Sequence, residues 1–173
     1  LSGGIAERMV GGIFVVGCSM YNSSRPMIYG TVSRLAIVNS SFDLSGNHIA
    51  YLGYVNVGLI KNTTMSRPAF GRTAVRISGE TATEARPTHD VLISDNRFLG
   101  WIDPVSDNHA HNGGGTRYNY QLINLSSNGP WFQVMRDVVF ERNLCTNAET
   151  ILLVNDYENL TIRNNLFCHF GFS

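Results

Sequence analysis

Charge is scarce in this 173-residue sequence: Asp, Glu, Lys and Arg supply 15% of it, against roughly a quarter in an ordinary globular chain. The 13 basic and 13 acidic side chains balance, and no basic run occurs. A phosphate backbone would find no electrostatic partner here, so a nucleic-acid binder is not expected. Long apolar runs are also missing. The longest, residues 11–17, is strand-sized, so no membrane-spanning helix is expected. Cys18, Cys145 and Cys168 are odd in number and lack C-x-x-C spacing, which supports neither a disulfide framework nor a zinc knuckle; they read as small buried hydrophobes. Helical 3.6-residue periodicity is absent, and glycine interrupts too often for long helices. No leader pattern precedes Leu1, as expected of a mature chain or a piece of a larger one.

What is present is apolar and uncharged-polar. Hydrophobic residues make up 43%, too many for a disordered chain. The polar complement is Asn, Ser, Thr and Gly, which suits turns and β-structure. The length fits one domain, residues 1–173.

Five segments align on one template: 34–42, 56–64, 90–98, 137–145 and 159–167. Each opens on a polar residue and continues with apolar residues two apart, the pairs being Leu35/Ile37, Val57/Leu59, Val91/Ile93, Val138/Phe140 and Leu160/Ile162. That spacing places both members on one face of a strand. Ser40, Asn62, Asn96, Asn143 and Asn165 follow at a fixed offset, at intervals of 22, 34, 47 and 22 residues. A period near 22 with insertions is the signature of a repeat architecture. A second strand follows each copy, around 48–52, 74–77, 121–125 and 151–154, with Ile13–Val16 as the same strand in an earlier copy. Short strands stacked at ~4.8 Å would bury Ile37, Leu59, Ile93, Phe140 and Ile162 in a narrow core. The Asn column would hydrogen-bond from copy to copy while tolerating the turn dihedrals. The Asn-x-Ser/Thr triplets at Asn22, Asn39, Asn62, Asn124 and Asn159 read as by-products of this composition, with meaning only in a secretory pathway.

The repeated hydrophobic-x-hydrophobic-x-x-Asn-x-Phe pattern over residues 32–170 resembles the right-handed parallel β-helix superfamily, which includes pectate-lyase-like enzymes, glycoside hydrolases and secreted repeat proteins. The resemblance implies an all-β solenoid of about five to six coils, short for an enzyme of this class and compatible with a fragment of a longer helix. It implies a secreted or cell-surface chain whose partner is an extracellular polysaccharide. The catalytic signatures of these families are missing, so no catalytic residue carries over from them. Thr88-His-Asp90 is only a fragment of such a pattern.

A solenoid places function in its insertions. The longest is the loop 99–120, which gathers Trp101, Asp103, Asp107, His109, His111, Arg117, Tyr118 and Tyr120. For β-elimination on a uronate, His109 or His111 is the candidate base and Arg117 the candidate neutraliser of the carboxylate. Tyr118 or Tyr120 is the candidate acid. For glycosidic hydrolysis, Asp103 and Asp107 are the candidate pair. Trp101, Tyr118, Tyr120 and Trp131 could stack on sugar rings. His109-x-His111 with Asp103 or Asp107 is a weaker pattern for a transition metal. Calcium is the cofactor that Asp103, Asp107 and Asn108 could hold through oxygen ligands. Shorter insertions, 79–88 and 126–136, both follow second strands and would share a corner. Glu141 and Arg163 align and read as an ion pair.

Two classes of function remain open: a carbohydrate-active or carbohydrate-binding β-helix, and a non-catalytic structural or adhesive solenoid. Neither terminal segment carries a capping pattern. The expectation is therefore an end-to-end copy, or the remainder of a longer chain, against the terminal coils.

Overall fold

A computed structural model describes residues 11–69, 71–78, 88–100, 102–103, 117–126, 135–155 and 157–170. Among them every regular element is a strand: β1 (Ile13–Val16), β2 (Ser19–Ser23), β3 (Ile28–Val38), β4 (Ser41–Ser45), β5 (Ala50–Lys61), β6 (Thr64–Ser66), β7 (Val75–Ile77), β8 (His89–Ser94), β9 (Arg97–Leu99), β10 (Ile102–Asp103), β11 (Arg117–Ser126), β12 (Met135–Glu141), β13 (Leu144–Asn155), β14 (Tyr157–Arg163) and β15 (Leu166–Phe170). The protein is all-β, and apart from β10 against β11 the described pairings are parallel.

The pairings form three ladders. The first runs through β1, the end of β3, the end of β5, β8, β12 and β14. The second runs through β2, β4, β6, β9, the start of β13 and β15. The third takes the start of β3, the start of β5, β7, β11 and the end of β13. Chain order visits the ladders in turn, so the strands fall into rows, numbered one to six from β1 to β15.

Between the first and second ladders the turn is the same in every row. One residue takes the left-handed conformation: Gly17, Asn39, Asn62, Asp95, Arg142 and Asn164, with φ of 64°, 51°, 50°, 59°, 52° and 55°. Glycine, Asn and Asp adopt it most readily. The next residue reaches along the stack. The Cys18, Ser40, Thr63, Asn96 and Asn143 backbone N–H groups donate to side-chain oxygens of Ser40, Thr63, Asn96, Asn143 and Asn165, at 3.2, 3.4, 3.0, 3.0 and 2.9 Å. The amides of Asn96, Asn143 and Asn165 donate back to the carbonyls of Ile60, Ile93 and Phe140.

This turn corrects the sequence reading in three places. The ladder residue of the third row is Thr63, not Asn62, and the buried residue is Ile60, not Leu59. Ile60 pairs with Ile37 and Ile93 and is fully buried, whereas Leu59 is half-buried on the outer face. Rows two and three are 23 residues apart at the turn, and a one-residue slip moves every side chain to the opposite face. Second, Ile13–Val16 belongs to the first ladder, paired with Leu35–Val38; Gly17-Cys18 replaces Asn-Ser at its turn and hid the template. Third, dihedral and ladder are separate duties of adjacent residues. The triplets at Asn39 and Asn62 follow from that division: left-handed Asn, ladder residue, then the first residue of the second strand.

The core lies between the ladders. Ile37, Ile60, Ile93 and Phe140 form one column, and Phe42, Met65, Phe98 and Cys145 another, all fully buried. Phe98 stacks on Phe140 at 6.2 Å and Phe140 on Phe167 at 6.4 Å. The outer rows are less covered. Ile162 is 44% exposed and Phe167 38%, so Ile162 is not the interior residue that the pattern suggested. Of the cysteines only Cys145 is buried; Cys18 and Cys168 are intermediate, and all three are free.

Candidate functional site

Strand alternation decides what the third ladder shows outward. Ile28, Ala50, Val75 and Ile123 share one register and are buried, as are Leu52, Ile77 and Leu125 two residues on. The residues between them point the other way. They are Tyr29, Tyr51, Arg76, Asn124 and Leu153, aligned across five strands.

This face carries aromatic surface with hydrogen-bonding groups beside it. The rings of Tyr29 and Tyr51 lie 5.4 Å apart, tilted by 56°. Tyr29 is 69% exposed. The Arg76 guanidinium sits 5.0 Å over the Tyr51 ring, a cation–π geometry. Beside Tyr51 lies buried His48, ring centres 5.1 Å apart. Further along, Asn124 donates to Gln121 Oε1 at 2.8 Å and accepts from Ser126 Oγ at 2.6 Å. Its amide is buried and committed, closing that Asn-x-Ser triplet to modification in the folded chain.

Segment 79–87 follows β7, segment 127–134 follows β11, and β10–β11 opens onto 104–116. Of the expected site residues, Trp101, Asp107, His109, His111 and Trp131 lie outside the described residues, as does Asn108. Asp103 falls on β10, and Arg117, Tyr118 and Tyr120 on β11. The antiparallel register sets Asp103 opposite Arg117 and Ile102 opposite Tyr118. One member of each proposed chemistry, the Asp pair and the carboxylate neutraliser, thus stands in backbone register with the other.

Several carboxylates elsewhere are committed to arginines. Asp43 accepts from Arg67 Nε at 2.7 Å, Asp95 from Arg142 at 2.7 and 2.9 Å, and Glu141 from Arg142 at 2.5 Å and Arg163 at 2.6 Å. These guanidiniums hold all three acids below the ordinary carboxylate range. The expected Glu141–Arg163 pair is formed, with Glu141 almost covered at 7% side-chain exposure. Among the described residues no three His, Cys, Asp or Glu side chains gather as a metal site would require.

Tyr29, Tyr51, Arg76 and His48 escaped the sequence reading. A signal existed: Tyr29 and Tyr51 are 22 residues apart, the repeat period, each preceded by an apolar residue. No family model, no curated protein and no solved structure matches the chain.

Proposed function

We propose that the chain is a right-handed parallel β-helix that binds an extracellular polysaccharide on its tyrosine face. The supporting observation is the register of Tyr29 and Tyr51, two rings one row apart on an outward sheet face, the first largely exposed. An aromatic ring offers an apolar platform to the C–H face of a sugar and a hydroxyl to its rim. The three recurring parallel ladders and the uniform turn support the β-helix. The loop 99–120 would supply chemistry to a bound glycan. His109 or His111 would act as base, Arg117 as carboxylate neutraliser and Tyr118 or Tyr120 as acid in β-elimination, or Asp103 and Asp107 would act as the pair in hydrolysis.

Affinity electrophoresis and calorimetry against polygalacturonate, alginate and neutral polysaccharides test the binding face. Tyr29→Ala is expected to weaken the best ligand about tenfold without altering stability measurably. Equal binding by wild type and variant would remove the tyrosine face from the proposal. Absorbance of the unsaturated product and release of reducing ends then separate elimination, hydrolysis and plain binding.

A second reading, a non-catalytic structural or adhesive solenoid, is favoured by the 44% and 38% exposure of Ile162 and Phe167, whose counterparts in rows two to five are buried. A second copy or further chain against that row would cover them. Sedimentation and binding measured on one preparation separate the two: assembly without glycan binding supports this second reading.

A further inference from the structure

His48 closes the turn between the second and third ladders in row two, and its ring is spoken for. The Thr73 backbone N–H donates to His48 Nδ1 at 3.0 Å, and Thr73 Oγ1 lies 2.8 Å from the same nitrogen. Thr73 is the matching residue of row three, and its carbonyl accepts the Ile49 N–H at 3.1 Å. Both are buried, His48 at 4% and Thr73 at 3% exposure. A ring nitrogen that accepts a backbone N–H carries no proton, so the imidazole is neutral with its hydrogen on Nε2. Tyr51 packs against one side of this ring and carries Arg76.

We propose that His48 is a positioning residue: as a neutral imidazole it latches row two to row three beneath the tyrosine face, and acid opens the latch. A proton on Nδ1 removes the acceptor that Thr73 N–H requires. It also places a cation beside the charges that act on this ring, Arg76 of β7 and Arg72 of the turn before it. Burial and these two arginines, in that order, hold the imidazole down at about 4. A group with a depressed folded-state affinity for protons destabilises the fold as pH falls from its free value of 6.5 toward 4. Once open, the turn no longer fixes the Tyr51 ring against β7. The consequence for ligand rests on the glycan reading above; the latch does not.

Nitrogen-15 spectra of the full chain from pH 7 to 3.5 test the latch without any ligand. The expected result is an Nε2–H tautomer that titrates near pH 4, with Thr73 amide protection falling about tenfold across that titration, the loss of one buried hydrogen bond. His48→Gln keeps an oxygen acceptor that does not titrate, so Thr73 protection in this variant should not follow that step. An Nδ1–H tautomer, titration near 6.5, or parallel loss of protection in wild type and variant would overturn the proposal. With polygalacturonate as probe, binding by wild type should weaken about tenfold over the same step and binding by His48→Gln should not. A shared acid profile in binding, with the Thr73 result intact, would break the coupling of the latch to the tyrosine face and leave the latch standing, whereas no binding at any pH would sink the glycan reading alone.

Discussion

The turn between the first and second ladders and the turns on either side of the third ladder solve the same problem differently. At the first turn every row spends two residues, one left-handed and one reaching along the stack, whatever the rest of the row contains. At the other turns lengths vary, and segments 79–87, 104–116 and 127–134 each adjoin one strand of the third ladder in the chain. The first turn is where rows separated by 22, 23, 33 and 47 residues are brought back into register. That uniformity leaves the other turns free to grow, because an insertion between two ladders need not disturb a row pinned at the third corner. Side chains capable of chemistry collect where length is free, which is the usual division between scaffold and loop.

The comparison breaks first if the variable turns prove loose down to their base. Gly100 opens the 99–120 insertion, and a Cβ there would lie 1.8 Å from the Asn147 carbonyl oxygen of the next row. Gly100 N–H donates to Thr146 O at 2.8 Å, so backbone must move to admit a methyl group. Gly100→Ala is expected to cost about 3–4 kcal/mol in chemical denaturation, in the range of severe packing conflicts. A cost under ~1 kcal/mol would show that this corner yields, and that the insertion floats rather than being anchored.

The uniform turn is tested at one of its buried members. Asn96 is 2% exposed and accepts the Thr63 N–H while donating to Ile60 O and Asn143 Oδ1. Asn96→Ala leaves a buried donor and a buried acceptor unmet, at about 2–3 kcal/mol. A measured loss no larger than that of an exposed turn residue would mean the side-chain column does not hold the register.

Acid should act on the same corner more gently. Arg142 lowers Asp95, and Arg163 then Arg142 lower Glu141, from ordinary values of 3.8 and 4.5. A carboxylate depressed in the folded state contributes stability above its free value and loses it as pH falls through the folded one. Thermal unfolding should therefore show an acid loss below about pH 4, and Arg142→Gln should shrink the part due to this corner. An unchanged acid limb in that variant would show that the pairs are surface ornament, as exposed ion pairs often are.

Much of this turn was legible in the sequence, and the reason is physical. Narrow stacking demands the same side-chain type at the same place, so Ile37, Ile93 and Phe140, with Asn96, Asn143 and Asn165, stand out by spacing alone. Where one duty can be met by several residue types the pattern fades. Gly17 for Asn and Cys18 for Ser hid row one, and Thr63 for Asn hid the register of row three behind the neighbouring Asn62. The tyrosine face was less legible for a related reason: an outward column has no core to enforce its composition, so Tyr29 and Tyr51 are followed in register by Arg76, Asn124 and Leu153.

The smallest expected effect separates Asn62 from Asn96 most sharply. Both are Asn at consecutive turns of the repeat, and spacing by itself favours Asn62 as a ladder member. In the folded chain Asn62 is exposed, has a φ of 50° and donates to Asn39 Oδ1 at 2.8 Å on the surface. Its indispensable property is a left-handed backbone, which glycine adopts with no steric penalty. Glycine gives up the surface hydrogen bond and adds freedom to the unfolded chain, against relief of whatever strain Asn bears at that φ. These terms nearly cancel, so Asn62→Gly should stay within ~0.5 kcal/mol of wild type, while Asn62→Val, branched at the β-carbon, should cost about 1–2 kcal/mol. Chemical denaturation of the two variants beside Asn96→Ala reads the difference. A glycine at 62 as damaging as the alanine at 96 would return Asn62 to the column, and would put Ile60 on the wrong side of its strand.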